Sequence, residues 1–235
     1  MSAGPVVRLA EVSKSYGPAH DRIPVLQGVN LSIAPGEKAS LVGPSGSGKS
    51  TLLALIAGLL RPDQGSVEIE AAKTSGLDDR ARARLRADRI GIALQADNLI
   101  PFLTARENVE LALAFASRRG RRTGWRGKRQ RGRGASIRAG QLLERLGVAH
   151  RADHRPRQLS GGEAQRVALA VSMANQPALL LADEVVAQLD AQTAAAVVDE
   201  VLTAEFAVLY VTHDVAVADL AQTRYELTDQ EVRRR

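Results

Sequence analysis

A run of eight residues, Gly43-Pro44-Ser45-Gly46-Ser47-Gly48-Lys49-Ser50, constrains what this chain can fold into more than any other feature of it. The short apolar stretch Ala39-Ser40-Leu41-Val42 enters the run, and leucines at helical spacing between Ser50 and Leu60 leave it, so the local reading is strand, glycine-rich loop, helix. Glycines let successive backbone N–H groups turn toward one point, and the start of a helix adds partial positive charge there. Phosphate is the natural guest. In this pattern Lys49 reaches the β- and γ-phosphates of a nucleotide as a point charge, the Ser50 hydroxyl is placed to ligate Mg²⁺, and Thr51 can add a contact to the α-phosphate. The pattern is that of a P-loop, and it predicts an α/β fold.

The second half of such a site needs carboxylates at the end of a buried strand. The run Ala178-Leu179-Leu180-Leu181-Ala182 is continuous and apolar, as in strands covered on both faces, and it closes on Asp183-Glu184. Asp183 would hold Mg²⁺ through water, and Glu184 would polarise the attacking water as general base. Around this core the sequence predicts an N-terminal antiparallel β region, from the alternation of Val7 and Leu9 and of Val29, Leu31 and Ile33 between turn signals at Gly17-Pro18 and Pro35-Gly36. Helices are expected at Ala105–Ala116, Ile137–Leu146 and Glu163–Ala174, and α/β alternation resumes to a terminal hairpin. The expected whole is one domain over 1–235: an α/β core with a mostly parallel sheet from about 1–95 and 176–235, and an inserted helical subdomain over about 96–175.

Charge has to be localised before it is interpreted. Ten of the 32 basic residues lie in 118–138 with no acid among them, which leaves a body of 22 basic against 26 acidic residues. Only 3% of the chain is aromatic, which argues against a stacking surface for nucleic acid. The glycines and self-repulsion of 118–138 predict a disordered basic loop, solvated or in contact with anionic lipid or an acidic stretch of a membrane partner, with Trp125 as an interfacial anchor. The absence of cysteine fits a reducing compartment, and the longest apolar stretch, Leu52 to Leu60, is too short to span a bilayer. The expectation is a cytoplasmic protein.

Leu159-Ser160-Gly161-Gly162-Glu163-Ala164-Gln165-Arg166 resembles the signature motif of ATP-binding cassette proteins. The other motifs of that family follow in order from about Val7 to Val232. The resemblance implies that Ser160, Gly161 and Gly162 cap the γ-phosphate of ATP bound to a second copy, so that two chains share two sites in a head-to-tail homodimer. It also implies that Tyr16 stacks on adenine, that Gln95 touches Mg²⁺ or the lytic water, that His213 contacts the γ-phosphate, and that Asp190 communicates between the sites. The stretch Gln95 to Val109, with Leu181-Ala182-Asp183-Glu184 and Arg155-Pro156, is similar to cassettes of the lipoprotein-release and macrolide-export type. In those a separately encoded membrane permease docks after the glutamine, here on Leu99, Ile100, Phe102 and Leu103, at the cytoplasmic side of the membrane.

One departure stands out. Where the family continues from Asp-Glu into Pro-Thr-Gly/Ser-x-Leu-Asp, this chain has Val185-Val186-Ala187-Gln188-Leu189-Asp190, a more apolar turn that bears on the rate of hydrolysis. The resemblance also admits a second function, that of a cell-division-type signalling cassette controlling an extracytoplasmic hydrolase without transport. A cassette acting on ribosomes or DNA is disfavoured, since the chain has neither a second cassette nor a long coiled-coil insertion.

Overall fold

The computed structural model describes residues 4–18, 20–94, 99–116, 126–183 and 191–235. Two strands, β1 (Val7–Tyr16) and β2 (Ile23–Ile33), form the antiparallel pair predicted at the N-terminus, and they are followed by β3 (Lys38–Val42) and helix α1 (Lys49–Ile56). Next come β4 (Gln64–Ile69), β5 (Ala72–Lys73), α2 (Asp79–Arg89) and β6 (Ile90–Leu94). Helices α3 (Ala105–Ala116), α4 (Arg126–Arg145) and α5 (Gly161–Met173) lead to β7 (Leu179–Asp183), α6 (Ala191–Thr203), β8 (Ala207–Val211) and α7 (Val215–Ala218). A hairpin of β9 (Thr223–Thr228) and β10 (Glu231–Arg234) ends the chain.

The strands make two sheets. One, antiparallel, has the order β2-β1-β4-β5; the other has the order β10-β9-β3-β8-β7-β6 and is parallel except for its β9–β10 edge. Side-chain alternation divides the larger sheet between two cores. Leu41, Leu179, Leu181, Leu209 and Val211 face the antiparallel sheet and α1, where Leu9, Ile33, Leu52, Ile56 and Ile69 are buried. Leu180, Ala182, Val208 and Tyr210 face the helical side with Val109, Leu143, Val167, Leu169 and Val197. Both faces of β7 and β8 are therefore covered, which explains why those segments read as unbroken apolar runs. Where β1 crosses β4, Gly65 allows the approach: a Cβ there would lie 2.2 Å from the Glu11 carbonyl oxygen.

One feature differs from expectation and a second was not anticipated. Helix α4 starts at Arg126 rather than near Ile137, so the second half of the basic tract, expected to be disordered, is helical. Its described packing face, Ala135, Ala139, Leu142 and Leu143, explains why only the C-terminal half reads as amphipathic. Residues 118–125, including Trp125, lie outside the described residues. The other feature is Lys38, which is buried in β3 and donates to the carbonyls of Ala204 (2.7 Å) and Phe206 beyond the C-terminus of α6. Burial lowers its pKa, while those carbonyls and the Phe206 ring, 5.7 Å away, take up the charge.

Candidate functional site

The P-loop connects the end of β3 to α1, and its glycines are required by close approaches. A Cβ on Gly43 (φ 157°) would come 2.3 Å from the Leu227 carbonyl oxygen of β9, and one on Gly48 (φ 103°) 2.8 Å from Val25 Cγ1. Gly48 is also the N-cap of α1 and offers no side-chain acceptor, which leaves the first peptide N–H groups of the helix to a ligand. Ser47 Oγ is buried without a hydrogen-bond partner in the same loop. Lys49 Nζ donates to the carbonyls of Gly43 and Pro44, both at 2.8 Å, which holds its charge at the entrance to the loop.

Sheet register assembles the rest. Leu41 pairs with Val211, Val211 with Asp183, and Asp183 with Leu94, so a single row crosses β3, β8, β7 and β6 at their C-terminal ends. Beyond that row come Gly43 to Ser50 on one strand and His213 on the next, with Asp183 within the row itself. Gln95 and Glu184 follow Leu94 and Asp183 in sequence; they, Asp190 and the turn from Val185 to Gln188 lie outside the described residues. His213 sits at the surface in a turn fastened on both sides. Thr212 Oγ1 accepts from the Asp214 N–H (3.1 Å), Asp214 Oδ1 accepts from the Ala216 N–H (2.8 Å), and the Tyr210 hydroxyl donates to the Val217 carbonyl (2.8 Å).

Tyr16 is brought to the same place. Its ring is 42% exposed and its hydroxyl lies 3.4 Å from Thr51 Oγ1, so it is a surface aromatic beside the P-loop helix and not a core tyrosine. The signature residues are elsewhere. Ser160 caps α5 through a reciprocal pair, with its Oγ accepting from the Glu163 N–H (3.3 Å) and Glu163 Oε2 accepting from the Ser160 N–H (2.8 Å). Glu163 is also bound by Arg151 Nε at 2.7 Å and approached by His150 Nε2 at 3.5 Å. The Ser160 N–H and the Arg151 guanidinium hold its carboxyl down to about 2. Helix α5 packs on β6, α3 and α4, and β6 stands three strand positions from β3, about 14 Å across the sheet. Ser160 and Gly161 are exposed.

The docking residues separate on inspection. Leu99 is buried in the helical core, a correction to its expected outward role, while Phe102 is 71% exposed and Ile100 and Leu103 are half-buried. Their loop is organised by buried Asn108, whose Oδ1 accepts from the Ile100 N–H (2.8 Å) and whose Nδ2 donates to the Thr104 carbonyl (2.9 Å). Sequence reasoning passed over Asn108, Arg151 and Asp63, because each acts through partners distant in sequence or through backbone groups. A cleft of about 1450 Å³ opens at the N-terminal ends of the parallel strands, away from the P-loop, lined by Arg8, Pro35, Glu70, Arg89, Arg145 and Phe206 among others, and no predicted nucleotide residue lines it. Pro44, Ser45, Gly46 and Ser50 are instead exposed on an open edge, as half of a divided site would be.

Comparison with known proteins gives concordant results. The family model described as ABC transporter matches residues 26–187. The lipoprotein-releasing system ATP-binding protein LolD 1 of Rhodopirellula baltica is 40% identical over 234 residues, covering 97% of this chain and 96% of that protein. An uncharacterised ABC transporter ATP-binding protein of Methanocaldococcus jannaschii, MJ0796, is 42% identical with the same two coverages. The macrolide export ATP-binding/permease protein MacB of Marinobacter nauticus is 37% identical over 99% of this chain, which spans 35% of that longer protein. Among solved structures, the dimeric post-hydrolysis state of the cassette MJ0796 bound to ADP and Pi superposes with a TM-score of 0.87 at 40% identity, covering 97% of each chain.

Proposed function

The chain belongs to the ABC transporter family and is an ATP-binding, ATP-hydrolysing cassette, and from that premise we propose how its residues divide the work. The observation that carries the assignment is the register row from Leu41 through Val211 and Asp183 to Leu94, which gathers the ends of four strands at the mouth of the P-loop.

The loop fits a Mg²⁺-triphosphate: the unpartnered Ser47 hydroxyl, the uncapped start of α1 and the Lys49 ammonium are all suited to phosphate oxygens. When bound, Mg²⁺ neutralises charge on the phosphates and polarises them toward attack. Ser50, Asp183 and Gln95 would hold it. Gly43, Pro44, Ser45, Gly46, Ser47 and Gly48 supply the cradle, Lys49 the fixed charge and Thr51 an α-phosphate contact. The exposed Tyr16 ring supports the base. Glu184 takes the proton of the attacking water, and His213, fixed in its turn, binds the γ-phosphate.

Ser160, Gly161 and Gly162 complete the site of a second copy. The open nucleotide edge and the exposed cap of α5 support this head-to-tail homodimer, as does the dimeric state of the similar cassette MJ0796. Asp190 carries communication between the two sites, and the apolar turn before it tunes the rate. Phe102, with Ile100 and Leu103 beside it, receives a membrane permease at the cytoplasmic side of the membrane, a reading supported by similarity to proteins named for lipoprotein release and macrolide export. The basic tract 118–138 contacts anionic lipid beside that partner. Phosphate release from Mg²⁺-ATP by the unsubstituted protein and by Glu184→Gln tests the enzyme assignment: general-base catalysis predicts a loss of at least about 100-fold. Equal rates would overturn the role of Glu184.

A further inference from the structure

We propose that Asp63 sets this cassette's preference for a nucleotide over a bare polyphosphate, by locking the base platform at Tyr16 onto the helix that holds the phosphates. The proposal rests on the reading that Tyr16 supports the base. Asp63 lies in the short segment that leaves α1 for β4, and its carboxylate collects donors from the end of β1 and from the turn that follows. Oδ1 accepts from Lys14 Nζ at 2.9 Å, and Oδ2 accepts from the Ser15 N–H and from Arg22 Nη2, both at 2.8 Å. The Asp63 N–H donates to the Ser13 carbonyl at 2.9 Å. Four bonds thus join one residue to the three residues that precede Tyr16 and to the far side of its turn.

The same carboxylate places a charge on the platform itself. Lys14 Nζ, held by Asp63, stands 5.8 Å from the centroid of the Tyr16 ring, close enough for a cation–π contact that fixes the ring's orientation. At its other end the Tyr16 hydroxyl meets Thr51 Oγ1 in the first turn of α1. The base and the triphosphate of one nucleotide are covalently joined, so the ring can stack on the base only if β1 and α1 keep a set separation. Asp63, at the end of the segment that leaves α1, and the Tyr16–Thr51 contact fix it at the nucleotide end, beyond the Ser13–Gln64 pairing and the shared core of β1 and α1. An exposed ion pair ordinarily contributes little, but the Asp63 side chain is only 25% exposed and its donors include a backbone N–H, so the arrangement is a joint and not a solvated pair.

The lock acts on the base and leaves the P-loop untouched, which makes it separable by ligand. Affinities for Mg²⁺-ATP and for Mg²⁺-tripolyphosphate are measured by calorimetry on the unsubstituted chain and on Asp63→Ala, Asp63→Asn and Tyr16→Ala. Loss of a base-stacking contact predicts that Asp63→Ala and Tyr16→Ala each weaken ATP about tenfold while tripolyphosphate binding is unchanged. Asp63→Asn, which keeps an acceptor for the Ser15 N–H, falls between. Unchanged tripolyphosphate binding also reports an intact P-loop; should Asp63→Ala fail to fold, the double variant Lys14→Met/Arg22→Ala opens the same joint from the other side. If Tyr16→Ala is selective for ATP and the Asp63 and Lys14/Arg22 variants are not, the joint is refuted and the platform stands. If Tyr16→Ala itself shows no selectivity, the platform reading falls and the proposal falls with it.

Discussion

Tyr210 and His213 are three residues apart, and the first determines how firmly the second is held. Burial, helped by the charge of Asp219, pushes the Tyr210 hydroxyl up to about 12, so it remains a neutral donor to the Val217 carbonyl at any workable pH. Helix α7 has only four residues, and that bond and the one from Ser40 Oγ to the Ala218 carbonyl (3.0 Å) anchor it together with the Asp214 side chain. Tyr210→Phe removes one of two donors to a part-buried carbonyl, which keeps the Leu220 N–H at 3.3 Å, and is expected to cost about 1 kcal/mol in denaturant unfolding. Phosphate release should fall while ATP affinity stays near its original value, since the P-loop is not involved; a matching loss of affinity would show that the effect is global. At this scale the sequence was legible where a residue's role is set by its neighbours, as with Lys49 and Ser50. It was silent on Asp63, whose side-chain partners lie between 41 and 49 residues away.

Elements were easiest to foresee where burial is regular. Helix α3, Ala105–Ala116, has the bounds that apolar patterning predicted, because a helix with one apolar stripe has little choice of extent. The start of α4 was missed because arginine and glycine carry no periodic signal. The cap of α5 was legible as a motif, yet its reinforcement by Arg151, from the turn before it, was not. That reinforcement gives a prediction for acid. The Glu163 carboxyl, ordinarily near 4.5, is held at about 2 in the folded chain, so its contribution to stability is complete above about 4.5 and is lost as pH falls toward 2. The difference in unfolding free energy between the unsubstituted chain and Glu163→Gln, measured by denaturant titration between pH 6 and 3, should therefore favour the original at pH 6 and narrow below about pH 4.5. A gap that does not change with pH would place the effect in packing and not in charge.

The whole molecule is electrically lopsided. Its formal charge of +6 is the sum of a mildly acidic body and one basic tract, and half of that tract is now part of a helix. By itself that half-helix is poorly designed. Gly127, Gly132 and Gly134 each weaken it by about 1 kcal/mol relative to alanine. The sequence of its first turn, Arg126 to Arg129, holds three basic residues and no acid, a composition unfavourable at the positive end of a helix dipole. A polyanionic surface corrects both faults, since it screens the repulsion and adds about 1 kcal/mol per basic side chain near a cytoplasmic leaflet. The region 126–134 is therefore expected to gain helix on a phosphatidylglycerol-containing vesicle and not on a phosphatidylcholine one, read by circular dichroism. Cosedimentation should follow the same preference and be lost in Arg126→Glu/Lys128→Glu/Arg129→Glu/Arg131→Glu, a variant that spares the packing face at Ala135, Ala139, Leu142 and Leu143. Deletion of the whole 118–138 tract is the poorer test, because it would cut into that face. Retention of vesicle binding by the charge-reversed chain would end the lipid assignment, and the basic helix would then have to be explained by an acidic protein partner.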